Sequence, residues 1–206
     1  MAKFKNKYRI ESTRLQNWDY SRVAVYFITI CTANRDHFFG MVQNNEMVYS
    51  DIGAIVAQEW VKTPEIRPDM NLELGEFMVM PNHFHGVIFI GNNEFNGRDA
   101  MHRVSTDDNI DPMHRVSTDD NIDAMHRVST DDNIYKNEFG PQSKNLSSII
   151  RGFKSAVTVQ AKKINPNFGW QARFHDHIIR NPKSYDTISQ YIIDNPKKWG
   201  EDEFHK

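Results

Sequence analysis

The sequence has little cysteine, no long apolar run and no apolar segment in its first ten residues. Each of these absences excludes a class of protein or a kind of site. Its one cysteine, Cys31, excludes an internal disulfide and a cysteine-based zinc cluster. The longest apolar runs, such as residues 87–90, are far shorter than the roughly 20 residues that a membrane span needs. The first ten residues are basic and lack the apolar segment of a signal peptide. We therefore predict a cytoplasmic protein with a reduced thiol and no membrane partner.

Charge is unevenly distributed along the chain, although the net formal charge is only −2. Residues 101–134 contain three Arg and eight Asp, so this segment carries −5 and the remaining 172 residues carry +3. The basic excess is +4 over residues 1–22 and +7 over residues 144–198. Such an excess favours a polyanionic partner such as a nucleic acid, but solvated helix faces would also produce it.

The acidic segment is a tandem repeat. Residues 101–134 contain the sequence MHRVSTDDNI three times with a period of 12. Each unit offers only Met, Val and Ile as apolar residues, which is too few for a folded repeat array. The Asp-Asp-Asn triplets lack the Gly and Glu that an EF-hand calcium loop needs. We predict that residues 97–136 form an inserted, mobile loop within one domain that spans residues 1–200.

Outside the repeat, apolar periodicity and turn residues predict an α+β domain with an antiparallel sheet. Ser50 is placed to cap one helix, and Pro196 to stop another. The second predicted helix should bury a stripe from Leu146 to Ile164 and expose Lys154 and Lys162 on its opposite side. The predicted strands cover residues 22–32, 72–80 and 83–90, with a strand or hairpin over 38–49, and the predicted helices cover residues 51–63, 146–164 and 182–195.

Two histidines in one predicted strand are the sharpest chemical feature. His83 and His85 are two residues apart, so both imidazoles point to one face of the sheet while Phe84 points to the other. Two neutral imidazoles side by side can hold a divalent metal. Two half-exposed histidines on a sheet surface would give the same pattern.

A tyrosine and an asparagine lie one turn apart on the last predicted helix. Tyr191 and Asn195 share a helix face because residues i and i+4 are neighbours. A tyrosine hydroxyl can act as a nucleophile, and an amide oxygen can bind a hard cation. Core packing is the ordinary role of a tyrosine on an amphipathic helix.

These features together resemble a known family. The sequence Met80–Ile90 resembles the His-hydrophobic-His motif of single-tyrosine HUH transposases. Residues 169–180 (GWQARFHDHIIR), with residues 190–196 (QYIIDNP), resemble the subgroup of REP-associated tyrosine transposases, and residues 9–40 also fit that subgroup. The resemblance covers about residues 9–95 and 143–200.

The resemblance implies an antiparallel ferredoxin- or RRM-like HUH fold and an enzyme that cuts and rejoins single-stranded DNA beside a hairpin. In such enzymes the tyrosine attacks the phosphorus and keeps a 5′-phosphotyrosine link, with Mg²⁺ or Mn²⁺ as the cofactor. Carried over by motif, the nucleophile is Tyr191. The implied metal ligands are His83, His85 and Asn195, and the implied DNA-binding residues are Arg151, Lys154, Lys162 and Arg173. Some relatives work as dimers, so a homodimer is an alternative to a monomer here.

Two alternative functions and a second histidine pair also have to be considered. A catalytically silent protein of the same fold could bind hairpin DNA. A phosphoesterase of the His-x-Thr type would need two copies of its motif, and the sequence places one His pair in a strand. Of the second pair, His175 and His177, only His177 matches the family pattern, so it is interpreted as a supporting residue rather than as part of a second metal site.

Overall fold

A four-stranded antiparallel sheet organises the fold. The structure, a computed structural model, describes residues 15, 18–96 and 143–205, together with the backbone of two short paired strands, β1 (Lys3–Phe4) and β2 (Lys7–Tyr8). The sheet consists of β3 (Ala24–Cys31), β6 (Leu72–Met80), β7 (His83–Ile90) and β8 (His175–Ile179). A separate hairpin consists of β4 (Gly40–Gln43) and β5 (Glu46–Tyr49). The order across the main sheet is β6-β7-β3-β8, so β6 and β8 are its edges.

Helices follow the strands on both sides of the sheet. They are α1 (Asp51–Val61), α2 (Thr63–Ile66), α3 (Leu146–Ile164) and α4 (Pro182–Asp194), and 3₁₀ turns cover Ala33–Arg35, Pro68–Met70 and Asn195–Glu201. The predicted α+β class with an antiparallel sheet is confirmed. Strand β8 was not predicted, and it completes the sheet beside β3.

Local sequence explains the turns and caps. Asn44 and Asn45 have φ of 51° and 63°, the left-handed geometry of a two-residue hairpin turn, which asparagine tolerates better than most residues. The Ser50 side chain accepts the N–H of Gly53 at 3.1 Å and begins α1 as predicted. Asn145 begins α3 through a reciprocal capping box.

One face of the sheet, here called the packed face, carries the main core. Tyr26, Ile28 and Ile30 point to it from β3, and Phe84 and Ile88 point to it from β7; all are fully buried. Helices α1 and α3 cover this face, and all these residues belong to one apolar cluster.

Aromatic rings join the packed face to its two helices. The ring centroids of Trp60 and Phe84 are 4.8 Å apart, and those of Trp60 and Phe153 are 5.2 Å apart. The predicted stripe of α3 is buried from Leu146 to Val157, but Ile164 is 50% exposed. Including Ile164 in the stripe was wrong, because the buried side of the helix ends at Ala161, about one turn earlier.

The opposite face, here called the histidine face, carries His83, His85, Cys31 and Thr29. Two smaller apolar clusters cover it, one under α4 and one under the segment that follows it. The histidine face is therefore packed, but by less apolar surface than its counterpart. Within the described part of the chain, no helix is both long enough and apolar enough to cross a membrane.

The repeat segment, with the predicted loop over residues 97–136, lies outside the described residues, as does most of the basic amino-terminal region. Both described flanks of that segment attach to one turn. The Asn96 amide donates to the Ser21 carbonyl at 2.6 Å, and the Leu146 N–H donates to the Tyr20 carbonyl at 3.1 Å.

Candidate active site

Two buried imidazoles form the centre of the site. His83 and His85 point to the same face of β7, and their ring centroids are 4.5 Å apart. They are 0% and 1% exposed, respectively. The prediction that they lie side by side, with Phe84 on the other face, is confirmed. The half-exposed surface pair that the sequence left open is excluded.

Asn82 fixes the tautomer of His83. The Asn82 amide nitrogen donates to the carbonyl oxygens of Phe204 at 2.8 Å and Arg35 at 3.2 Å, which orients the amide. Its oxygen therefore lies 3.0 Å from His83 Nδ1 as an acceptor, and Nδ1 carries the proton. The lone pair of His83 is then on Nε2, which is buried without a hydrogen-bond partner.

His85 is held between β3 and α4. Its Nδ1 lies 2.9 Å from the Thr29 hydroxyl, and its Nε2 lies 3.3 Å from the Tyr191 hydroxyl. When Nδ1–H donates to Thr29, Nε2 accepts from Tyr191, and both histidines present Nε2 to the same space. The Tyr191 ring also packs edge-on against Phe27, which fixes its position above the sheet.

Burial keeps both imidazoles neutral. The pKa of His83 is lowered to about 2, chiefly by burial and further by the neighbouring His85 and Arg35. Burial lowers the pKa of His85 to about 3. A metal binds neutral imidazole, so the pair is in the right protonation state at neutral pH.

Asn195 offers a second buried polar atom without a partner, and it hydrogen-bonds Tyr191. It follows the last residue of α4, is 2% exposed, and its Oδ1 is buried without a hydrogen-bond partner. Two imidazole nitrogens and an amide oxygen are donors that a divalent cation such as Mn²⁺ or Mg²⁺ accepts. The unsatisfied His83 Nε2 and Asn195 Oδ1 therefore fit a cation. The described residues include no cluster of three His, Cys, Asp or Glu side chains, so the third donor would be the amide.

Tyr191 is partly open to solvent and resists ionisation. Its side chain is 41% exposed. Its pKa is raised above the usual value by burial and by the charges of Asp202 and Glu203, against a hydrogen bond with Asn195 that lowers it. Asp202 also hydrogen-bonds Asn195, and burial raises the pKa of its own carboxyl. Sequence reasoning missed Asp202, because no spacing links it to the motif residues.

The segment after α4 covers the histidine pair. The Phe204 ring centroid is 4.6 Å from that of His83 and 6.2 Å from that of His85. Arg35 holds this segment, with its guanidinium 4.7 Å from the Phe204 ring and one N–H donating to the Glu203 carbonyl at 2.9 Å. Trp199 covers His83 from a second side, at 5.9 Å. Nothing in the sequence pattern signalled this cover.

The predicted DNA-binding cations do not converge on the site. Arg151 and Lys162 are exposed on α3, which covers the packed face rather than the histidine face. Arg173 is exposed two residues before β8. These three remain predictions, and contact with DNA at another surface stays open for them.

Lys154 is not on a solvated helix face. Its ammonium is half-buried and donates to the Gln171 carbonyl at 2.6 Å, and burial lowers its pKa. Trp170 in turn donates from its indole N–H to the Lys154 carbonyl at 3.2 Å. The tryptophan-glutamine motif is thereby fixed to α3, and the placement of Lys154 opposite the apolar stripe was wrong.

The second His pair lies in a strand, contrary to expectation. His175 and His177 are exposed on β8, where His175 pairs with Thr29 and His177 pairs with Phe27. Because paired residues share a face, these two imidazoles are on the histidine face.

The fold is shared with a DNA transposase of known structure. The chain matches the structure of a REP-associated tyrosine transposase bound to a REP hairpin with a TM-score of 0.52 and 18% identity, over 93% of this chain and 75% of that one. This likeness defines an α+β fold of the same kind. A putative transposase from Deinococcus radiodurans matches at a TM-score of 0.36 and 12% identity, over 89% of this chain and 97% of that one, which is too weak to carry an argument.

Sequence comparison places the chain in a family. No family model matches it. Over 195 residues it is 33% identical to an uncharacterized protein of Haemophilus influenzae (strain ATCC 51907 / DSM 11121 / KW20 / Rd), a match that covers 94% of this chain and 92% of that protein. The chain therefore belongs to the same family as this Haemophilus influenzae protein.

Proposed function

We propose that this protein is a metal-dependent tyrosine transposase that binds hairpin-flanked single-stranded DNA, cuts it, and rejoins it through a 5′-phosphotyrosine link. The observation that carries the proposal is the convergence of Tyr191 on the buried pair His83 and His85, with its hydroxyl 3.3 Å from His85 Nε2. Two further atoms support the proposal: His83 Nε2 and Asn195 Oδ1 are both buried without a hydrogen-bond partner, and Asn195 hydrogen-bonds Tyr191. The shared fold with a transposase bound to a REP hairpin supports the same reaction class.

In this proposal Tyr191 is the nucleophile. Its phenol oxygen attacks the phosphorus, the bond to the 3′-oxygen breaks, and the phenol proton leaves to water on the exposed side of the ring. The 3′-oxygen departs as a hydroxyl, and attack by a 3′-hydroxyl on the phosphotyrosine reverses the step and rejoins DNA. Phe27 and the anchored α4 keep the hydroxyl directed at the site.

His83, His85 and Asn195 would hold the divalent cation, Mg²⁺ or Mn²⁺. When bound, the cation supplies positive charge that polarises the phosphate and eases ionisation of the phenol. Asn82 and Thr29 would orient the ligands by occupying Nδ1 of each histidine. His83 Nε2 is then without a partner, and His85 Nε2 would exchange its hydrogen bond with the Tyr191 hydroxyl for the cation. Burial raises the pKa of Tyr191, which is consistent with this need for added positive charge.

The test is covalent capture of DNA. The full chain is incubated with single-stranded DNA that flanks its own gene and contains a hairpin, with Mn²⁺ or Mg²⁺, and run on a denaturing gel. We expect a protein–DNA adduct that chelator abolishes and added metal restores. Tyr191→Phe should lose the adduct and the cleaved strand, keep hairpin binding, and change the free energy of unfolding by only about 1 kcal/mol.

Tyr185→Phe is the matched control, because Tyr185 lies on the same helix and packs on Phe89 away from the histidines. It should keep the adduct. An adduct that survives in Tyr191→Phe and not in Tyr185→Phe would show that the nucleophile is misassigned. Hairpin binding without any adduct at all would instead favour the alternative function, a catalytically silent hairpin-binding protein.

A further inference from the structure

The two edges of the sheet differ in charge. On the edge strand β6, Glu73 and Glu76 are exposed. On the edge strand β8, His175 and His177 are exposed, Asp176 is half-buried between them, and Arg180 is exposed just after the strand ends, so the formal charges of Asp176 and Arg180 offset each other at this edge. A phosphate chain bound at the histidine face is therefore repelled at one edge and can be accepted at the other.

Strand β8 also lies close to the site, on the other side of β3 from His85. His175 and His85 flank Thr29 in register, so they lie two strand spacings apart, roughly 10 Å. His177 pairs with Phe27, whose ring packs against both His85 and Tyr191. His175, His177 and Tyr191 are all exposed.

A groove continues from this strand. A cavity of about 480 Å³ lies along β8, a size in the range of small-ligand sites. The side chains that line it come from β8, the start of α4 and the segment before β3: Leu15, Tyr20, Asp176, His177, Ile178, Arg180, Asn181 and Ser184. Most of its polar groups are donors suited to phosphate or base edges, and Asp176 is the one carboxylate among them.

We propose that the DNA strand that reaches Tyr191 runs across the edge strand β8, where His175, His177 and Arg180 contact its phosphates and the groove receives a flanking nucleotide. This inference rests on the proposed function and adds the path that the DNA strand takes across the protein. These side chains are positioning residues, because they hold flanking nucleotides rather than the reacting phosphorus. Imidazole and guanidinium N–H groups are suitable donors to phosphate oxygens.

A histidine footprint tests the contact without requiring cleavage. The wild-type chain, in chelator, is treated with diethyl pyrocarbonate with and without the hairpin oligonucleotide from the DNA that flanks its gene, and each histidine is scored by mass spectrometry. We expect DNA to protect His175 and His177. His37, which is also exposed but lies against Trp199, is the internal control and should stay reactive. Binding of the oligonucleotide without protection of His175 and His177 would overturn this inference alone.

Variants then separate positioning from catalysis. Single-turnover cleavage is measured with oligonucleotides lengthened on the 5′ or the 3′ side of the cut. In the wild type, an oligonucleotide lengthened on one side of the cut should bind more tightly, by about tenfold in affinity. The double variant His175→Ala, His177→Ala should lose that gain. Arg180→Ala should act on the same side, and His37→Ala should have no effect. An equal loss on the shortest substrate would show that the pair supports the site itself and would overturn the inference.

The two proposals fail in different ways. Protection of His175 and His177 in a chain that forms no adduct would keep the strand path and reject the cleavage chemistry. An adduct with no dependence on these histidines would keep the chemistry and reject the path. A wild-type chain that does not bind the oligonucleotide would reject both.

Discussion

The two faces of the main sheet bury different kinds of side chain. The packed face buries mainly apolar and aromatic side chains against α1 and α3, and its buried polar atoms without a partner include Trp60 Nε1. The histidine face buries His83, His85 and Asn195, and two of these have polar atoms without a partner. The same strand, β7, contributes Phe84 to one face and the two histidines to the other.

The difference shows how this fold accommodates a site with buried polar atoms that lack a hydrogen-bond partner. Burying an unsatisfied polar group costs about 1–3 kcal/mol, and the histidine face has at least two such atoms among the described residues. The packed face has the stability to offset that cost, since a well-packed apolar core is the main source of folding free energy. Four predictions test this division, from the largest expected effect to the smallest.

The largest effect should come from the packed face. Trp60→Ala removes a fully buried ring that contacts Phe84 and Phe153. We expect the free energy of unfolding to fall by about 3–5 kcal/mol, as for other large-to-small core changes. Urea denaturation followed by circular dichroism measures it. A loss no greater than that of Tyr191→Phe would mean that the two faces contribute equally.

Acid should destabilise the protein through the histidine face. His83 and His85 have pKa values of about 2 and about 3 when folded, against 6.5 when unfolded. Below pH 6.5 the unfolded chain binds protons that the folded chain does not, so stability falls as the pH falls. In chelator, we expect a loss of at most about 2 kcal/mol per histidine between pH 7 and pH 5.

Denaturation at several pH values gives this slope, and single variants identify its source. His83→Gln should remove about half of it. His37→Ala, at an exposed position, should leave it unchanged. A flat profile in the wild type would mean that the histidines are accessible to protons in the folded protein.

Removing the aromatic ring that covers the histidine face should expose His83 without unfolding the protein. Phe204→Ala removes the ring that lies on His83 and His85. We expect a smaller loss of stability than for Trp60→Ala, because the segment packs in a small cluster. The rate at which diethyl pyrocarbonate modifies His83 should rise severalfold. An unchanged rate would indicate that Trp199 alone shields the imidazole.

The smallest effect should come from deleting the repeat. Removing residues 101–134 takes away −5 of charge and little apolar content. We expect the melting temperature to change by less than about 4 °C, which corresponds to about 1 kcal/mol or less, and DNA binding at low salt to strengthen. A deletion that unfolds the protein would show that the repeats contribute to the core.

Elements with strong periodicity were predictable from the sequence. The bounds of β6, β7 and α3 agree with the predicted ranges because each has a long, regular apolar pattern between clear turn residues. Strand β8 was missed because it reads His-Asp-His before its two isoleucines, and its pairing with β3 depends on contacts about 150 residues away in sequence. An edge strand with polar residues has no local pattern that identifies it.

The candidate site was predictable in part. Alternation placed the histidines on one face, and helix spacing placed Tyr191 above Asn195, but only the tertiary packing of α4 brings Tyr191 to His85. The roles of Asn82 and Phe204 could not be anticipated. Each depends on a contact between distant segments, such as the 2.8 Å hydrogen bond from the Asn82 amide to the Phe204 carbonyl.

The turn at Tyr20 and Ser21, which receives hydrogen bonds from Asn96 and Leu146, has a consequence for how this sequence can vary. On the prediction that residues 97–136 form a loop, the domain requires only that the two ends of this segment meet at the turn. For a segment closed in this way, the entropy of closure grows with the logarithm of length, and each doubling costs only about 0.6 kcal/mol. One more or one fewer 12-residue unit would therefore alter the free energy of folding by only a fraction of that. Copies of this gene that differ in repeat number should encode the same domain, so the number of units can drift without selection for folding acting on it.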